Sequence, residues 1–221
     1  MGGLWRSRTI PVPSIAGLRP TSHRVRQTVF DWLTHLWGCR LPQAVSAGVA
    51  PGATEPAPGP ISTRRPAHGP RASLAGMRVL DTFAGSGALG FEAASRGATE
   101  VLLLEKHPQA VATLHRSRAS LDARSVEIHA VDAFHYLPSA GSRGKRFDLI
   151  FVDPPFGQHL HRAALQSVSA CLAPAAMVYL ESPSPWDTIA AHEACRAYHV
   201  IRQARAGTVH YYLLGHGYSL R

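Results

Sequence analysis

The sequence predicts an α/β protein built on a mostly parallel seven-stranded sheet, with helices on both faces and an antiparallel closing strand. Three observations predict it. From Met77 onward, short apolar runs of strand length alternate with stretches of helical periodicity, the pattern of strands joined by crossover helices. A glycine-rich turn, Gly85-Ser86-Gly87-Ala88-Leu89-Gly90, joins the first of these strands to the first helix. Near the far end, two β-rich runs are separated only by Ala206-Gly207, a hairpin signal that turns the last strand antiparallel to its neighbour.

Taken in order, residues 1–20 read as irregular or extended chain, because Pro11, Pro13 and Pro20 exclude a helix. Thr21 and Ser22 are N-cap candidates for a helix in which Val25, Val29, Trp32, Leu33 and Leu36 recur at helical spacing. That helix is expected to run to about Trp37 and stop at Gly38, and residues 1–37 form a basic N-terminal arm and helix. Residues 38–76 differ in kind: seven prolines, six glycines and eight alanines leave only five large apolar residues. Too little apolar surface is present to offset the entropy of ordering, so the segment is expected to be a flexible insertion. In the α/β domain, residues 77–221, strands are expected at 78–82, 101–105, 126–131, 147–152 and 176–181, and the hairpin at 198–205 and 208–214. Helices are expected at 88–96, 108–121 and 159–172.

Composition narrows the function classes. No apolar run reaches the length of a membrane span, and the first thirty residues hold no apolar stretch suited to a signal peptide. Cys39, Cys171 and Cys195 form no Cys-x-x-Cys pair, which argues against a disulfide framework or zinc site and fits a reducing cytoplasm. The formal charge is +9, and +5 of it falls in residues 1–40, all from arginine. Such a segment favours a polyanionic partner, although a solvated basic surface explains the charge as well.

The glycine loop begins at Asp81-Thr82-Phe83-Ala84, at a strand's carboxyl end, where open α/β sheets bind ligands. Gly85, Gly87 and Gly90 satisfy the Gly-x-Gly-x-x-Gly spacing of a dinucleotide site, which competes as a reading. Asp81, however, stands where a pyrophosphate would be repelled, and it suits the ammonium group of S-adenosylmethionine. Glu105 ends the second strand, placed for ribose hydroxyls in either reading. Asp132, just after the third strand, suits an adenine amino group, with Ala133 and Phe134 beside it, although it also reads as a helix N-cap. Three acids at three successive strand tips favour S-adenosylmethionine. The cofactor-binding set is then Asp81, Phe83, Ala84, Gly85, Ser86, Gly87, Glu105, Lys106, Asp132 and Ala133.

The fourth strand runs into Asp153-Pro154-Pro155-Phe156, which as a lone signal is an ordinary turn. At a strand tip beside a nucleoside loop it acquires a chemistry. An exocyclic base amine is a poor nucleophile because its lone pair is delocalised into the ring. The Asp153 carboxylate and the Pro154 carbonyl can accept its two hydrogens and orient the nitrogen, Pro155 stiffens the loop, and Phe156 offers a stacking face. These four are the catalytic candidates, and no metal is required. Of the weaker signals, His159 and His161 lie on different faces of a helix start without an acidic or cysteine companion, which disfavours a metal site. Tyr211-Tyr212 fits the closing strand better than an RNA platform. The basic residues 141–146 are expected as a solvated loop on the opposite edge of the sheet from the strand tips.

Together these stretches resemble the bacterial 16S rRNA guanine-N2 methyltransferases, Rossmann-like enzymes of the class I S-adenosylmethionine-dependent type. The likeness covers residues 2–37 and 77–214. It is carried by Gly2-Gly3-Leu4-Trp5-Arg6, Pro11-Val12-Pro13, Gly17-Leu18-Arg19-Pro20-Thr21, residues 24–30, the loop at 81–90 and Asp153-Pro154-Pro155-Phe156. The last motif is shared with DNA adenine methyltransferases; its combination with the leading Gly-Leu-Arg-Pro-Thr is far more specific. The resemblance implies methylation of guanine 966 of 16S RNA in an assembling small ribosomal subunit; the protein itself is expected to be a cytoplasmic monomer. The resemblance also implies that Arg19, Thr21 and Arg24, with Phe156, bind the substrate. The sequence departs from the family in its long Pro/Gly-rich link and in His23 and Gln27, where members often carry acids. A DNA amino-methyltransferase, a nicotinamide-dependent oxidoreductase and a non-catalytic RNA assembly factor stand as alternatives.

Overall fold

Parallel strands buried on both faces need nearly continuous apolar runs, and the central strands have them. The computed structural model describes residues 1–15, 21–40, 74–155 and 160–217. The strands are β1 (Arg78–Asp81), β2 (Glu100–Glu105), β3 (Val126–Ala130), β4 (Phe147–Val152), β5 (Leu172–Ser182), β6 (Tyr198–Ala206) and β7 (Val209–His216). They form one sheet in the order β3-β2-β1-β4-β5-β7-β6. The first five pair in parallel, and β7 runs antiparallel to both β5 and β6. The chain order reverses between β1 and β4, and the tips of these two strands meet at that switch point, the usual ligand crevice of such sheets.

Six helices are described: α1 (His23–Arg40), α2 (Ala88–Ser95), α3 (Pro108–Ser120), α4 (Ala133–Ser142), α5 (His161–Ser169) and α6 (Trp186–Ala190). Ser22 caps α1, its Oγ accepting from the Val25 amide at 3.3 Å. Val25, Val29, Phe30 and Leu33 are buried against the sheet, Phe30 facing Phe151 and Trp32 stacking on Tyr211. The expected stop at Gly38 is overrun, since α1 continues to Arg40. Residues 41–73 of the expected insertion lie outside the described residues. Its final stretch belongs with the core, because Leu74 is fully buried and its amide bonds the Arg96 carbonyl.

Two elements depart further from expectation. Residues 133–142 form a helix where none was expected, despite Pro138 in its interior. Asp132 caps it, Leu137 and Ala140 are buried, and Gly141 permits close approach to α5, since a Cβ there would lie 2.8 Å from that of Ala170. Tertiary packing overrides the proline penalty here. The expected helix at 159–172 is shorter, because Leu172 already pairs with Phe147 as the start of β5. The helix α6, also unexpected, is a single turn after Pro185.

Helix α2 is buried on every side, which a surface helix cannot be. The N-terminal arm supplies its cover. Trp5 packs edge-on against Phe91, the Trp5 amide donates to Ser95 Oγ, and the Gly2 amide donates to Glu92. Glu92, buried, also receives Arg96 Nε at 2.7 Å and faces Arg26 Nε at 3.7 Å. One carboxylate thus ties the arm, α1 and α2 together. Glu92→Ala leaves two partly buried guanidiniums without their carboxylate and is expected to cost about 3 kcal/mol, read as a fall in the denaturant midpoint. Glu92→Gln should lose less.

Candidate active site

Asp81 ends β1, Glu105 ends β2, and Asp132 lies two residues beyond β3. These tips and the start of the loop after β4 surround one cavity of about 430 Å³, of a size that takes a nucleoside-based ligand. Of the expected cofactor set, Asp81, Phe83, Ala84, Gly85, Ser86, Glu105, Lys106, Asp132 and Ala133 line it. Gly87 does not. It is the N-cap of α2 at φ +78°, and a side chain there would drive into Phe91 and Leu114. Its role is to let the loop turn into the helix.

The acids are held in different ways. Asp81 is buried, and its Oδ2 accepts from the Gly90 amide at 3.1 Å. That contact needs glycine at position 90, where a Cβ would collide with Leu103. Among the described residues, Asp81 Oδ1 is buried with no hydrogen-bond partner. Burial first, then the charge of Glu105, push its carboxyl up to about 7, against the lowering effect of the Gly90 and Phe83 amides. Glu105 accepts from the Gly85 amide at 2.8 Å and the His107 amide at 2.7 Å, so it braces the glycine loop as well as facing the cavity. Asp132 does cap a helix, Oδ1 accepting from the Phe134 amide at 2.8 Å. Its Oδ2 accepts from Lys106 Nζ at 2.9 Å, and that ammonium holds the carboxyl below the usual range. Phe83 and Phe134, rings 5.9 Å apart, form an apolar wall of the cavity. The sequence places Phe134 beside the site without giving it a role.

Asp153, Pro154 and Pro155 line the same cavity from the end of β4. Ile15 and Thr21 complete it from the N-terminal segment, and Thr21 Oγ1 donates to Asp153 Oδ2 at 3.3 Å. Ile15 is not anticipated by the sequence, where its context carries no chemical signal. Arg24 is exposed on α1 and is not among the lining residues, whereas Arg19 and Phe156 lie outside the described residues. Among the described residues, no three His, Cys, Asp or Glu side chains gather as a metal site. No helix among them is long and apolar enough to cross a membrane. Cys171 and Cys195 are buried free thiols, and Lys145 of the basic segment pairs with Glu100, at the opposite end of β2 from Glu105.

This sheet order, the antiparallel hairpin and the acid-bearing strand tips define a Rossmann-like methyltransferase of class I. A family model described as conserved hypothetical protein 95 matches residues 1–46 and 68–215, and the chain belongs to that family. It is similar to the Escherichia coli K12 protein named ribosomal RNA small subunit methyltransferase D, 33% identical over 184 residues, which span 82% of this chain and 73% of the relative. The Haemophilus influenzae protein of the same name is 30% identical over 186 residues, spanning 82% and 77%. Among solved structures, an Escherichia coli protein provisionally described as a methyltransferase superposes with a TM-score of 0.71 at 29% identity, covering 98% of this chain and 96% of that one. A hypothetical protein of Thermus thermophilus gives 0.65 at 26%, covering 96% and 95%.

Proposed function

We propose that this protein transfers a methyl group from S-adenosylmethionine to the exocyclic N2 of a guanine in 16S RNA, acting as a monomer on an assembling small subunit. The supporting observation is that Asp153 opens into the cavity bounded by Asp81, Glu105 and Asp132. The residues present fit the cofactor. The unpartnered Asp81 Oδ1 suits an ammonium group better than a pyrophosphate, which disfavours the dinucleotide reading. Glu105 suits the ribose hydroxyls, and Asp132 with the Phe83–Phe134 wall suits adenine. When bound, the cofactor supplies an activated, electrophilic methyl group.

The chain's own residues supply position. Asp153 and the Pro154 carbonyl accept the two amine hydrogens, which localises the lone pair on nitrogen and favours its pyramidal form. Thr21 fixes one oxygen of Asp153 and so aims the carboxylate. Asp153 is also placed to take the proton that the methylated nitrogen sheds. Thr21→Val is expected to lower kcat by about tenfold with cofactor affinity unchanged, while Thr21→Ser retains most of the rate.

Labelled cofactor offered with undermodified small subunits, naked 16S RNA and duplex DNA tests the reading. Incorporation into RNA at a guanine N2, located by mass spectrometry, supports it. Incorporation into DNA alone supports the DNA alternative, and RNA binding without incorporation supports a non-catalytic assembly factor.

A further inference from the structure

The hairpin of β6 and β7 is unused by the chemistry above, and its turn falls at the catalytic end of the sheet. Val152 pairs with Leu180, Ser182 with His210, and His210 with Arg205, so the turn lies at the same end of the sheet as the mouth that Asp153 opens. Three strand spacings of about 4.8 Å separate β4 from β6, placing Arg205 roughly 14 Å across the sheet from the strand that carries Asp153.

Charge sets this hairpin apart. From Ala194 to the end of the chain there is no Asp or Glu, whereas β6 carries Arg202 and Arg205, both exposed. Among the described residues, their guanidiniums donate only to the carbonyls of Ile201 and Gly207, and neither pairs with a carboxylate. Arg78 and Lys145, at the opposite end of the sheet, are neutralised by Asp148 and Glu100. Arg202 pairs with Leu213 and Arg205 with His210, so the two project from opposite faces of an edge strand. His210, the ladder partner of Arg205, lies within 4° of parallel to Tyr212, which also meets Trp186, and both His210 and Trp186 are half-buried. Arg205, without a carboxylate and next to partly exposed rings, is the chemistry that holds single-stranded RNA, phosphate on the cation and bases on the rings, and Arg202 extends the cationic edge from the other face.

We propose that the β6–β7 hairpin is a second RNA contact surface, in which Arg202 and Arg205 hold the phosphates of the strand flanking the target base. This rests on the function proposed above. The test is Arg202→Glu with Arg205→Glu, and Arg202→Gln with Arg205→Gln as the milder pair, assayed on undermodified small-subunit RNA. Expected are a rise in KM for RNA of about tenfold or more and a shallower dependence on salt, by roughly one to two in the logarithmic slope. Cofactor affinity, the thermal midpoint and kcat at saturating RNA should be unchanged. If either folded pair keeps the original KM and salt slope while the unaltered protein methylates RNA, the surface is refuted and the function stands. If the unaltered protein transfers no methyl to RNA, both are refuted.

Discussion

Asp153→Asn is expected to reduce methyl transfer by about 10²–10⁴-fold at saturating cofactor, with cofactor affinity within about twofold of the original. The size follows from how the amide would sit. Thr21 Oγ1 donates to Asp153 Oδ2, and a hydroxyl can equally accept from an amide NH₂. With the amide oxygen toward the base amine the charged acceptor is lost, and with the NH₂ toward it two donors meet, so either orientation weakens the grip on the amine. Cofactor affinity, measured by calorimetry, should survive because Asp81, Glu105 and Asp132 stand at or just beyond the ends of other strands. Retention of more than a tenth of the activity would remove Asp153 from the reaction.

Much of this site was legible in the sequence because strand tips are legible. A parallel sheet puts the residue after each apolar run at one edge, so Asp81, Glu105, Asp132 and Asp153 share a cavity by topology alone. The seven strands stood out for the same reason, as apolar runs bounded by turn residues. Helices whose identity depends on tertiary packing were harder. Residues 133–142 contain Pro138 and Gly141, both breakers on propensity, yet Gly141 is there because Ala170 leaves no room for a side chain. Helix α2 reads as an ordinary crossover helix, and nothing in its own eight residues announces that an arm more than 80 residues earlier covers it.

The double duties of the acids are equally hidden. Glu105 is expected to face ribose, and the structure adds amides from Gly85 and His107 as partners. Asp132 is expected either to meet adenine or to cap a helix, and it caps the helix while also pairing with Lys106. A carboxylate has about four acceptor directions, so bracing a loop does not exhaust its capacity for a ligand. Spacing identifies the carboxylate, but the neighbours that share it come from loops whose path only the fold supplies. Thr21 shows the same limit, since its contact with Asp153 spans 132 positions.

Asp81 is where the demands of folding and binding conflict, and it yields the other large prediction. Its carboxyl is held near 7 in the folded protein, against 3.8 ordinarily, chiefly because it is buried. Between those values the folded state keeps a proton that the unfolded state has released, so folding stability falls as pH rises through this window. The loss is complete above about pH 8, where at about 1.4 kcal/mol per pH unit it reaches a few kcal/mol. Asp81→Asn should therefore stabilise the ligand-free protein by about 2–4 kcal/mol at pH 8 and by little at pH 4. It keeps an oxygen for the Gly90 amide. The same substitution should weaken cofactor binding by about a hundredfold if, as proposed, Asp81 supplies the counter-charge of the ammonium. In the unaltered protein, affinity for the cofactor should fall about tenfold per pH unit below 7, with a proton released on binding in that range. Calorimetry at pH 5, 6, 7 and 8 in buffers of different ionisation enthalpy reads both quantities. An affinity flat across that range would mean that Asp81 serves the glycine loop alone, and that the ammonium is received elsewhere.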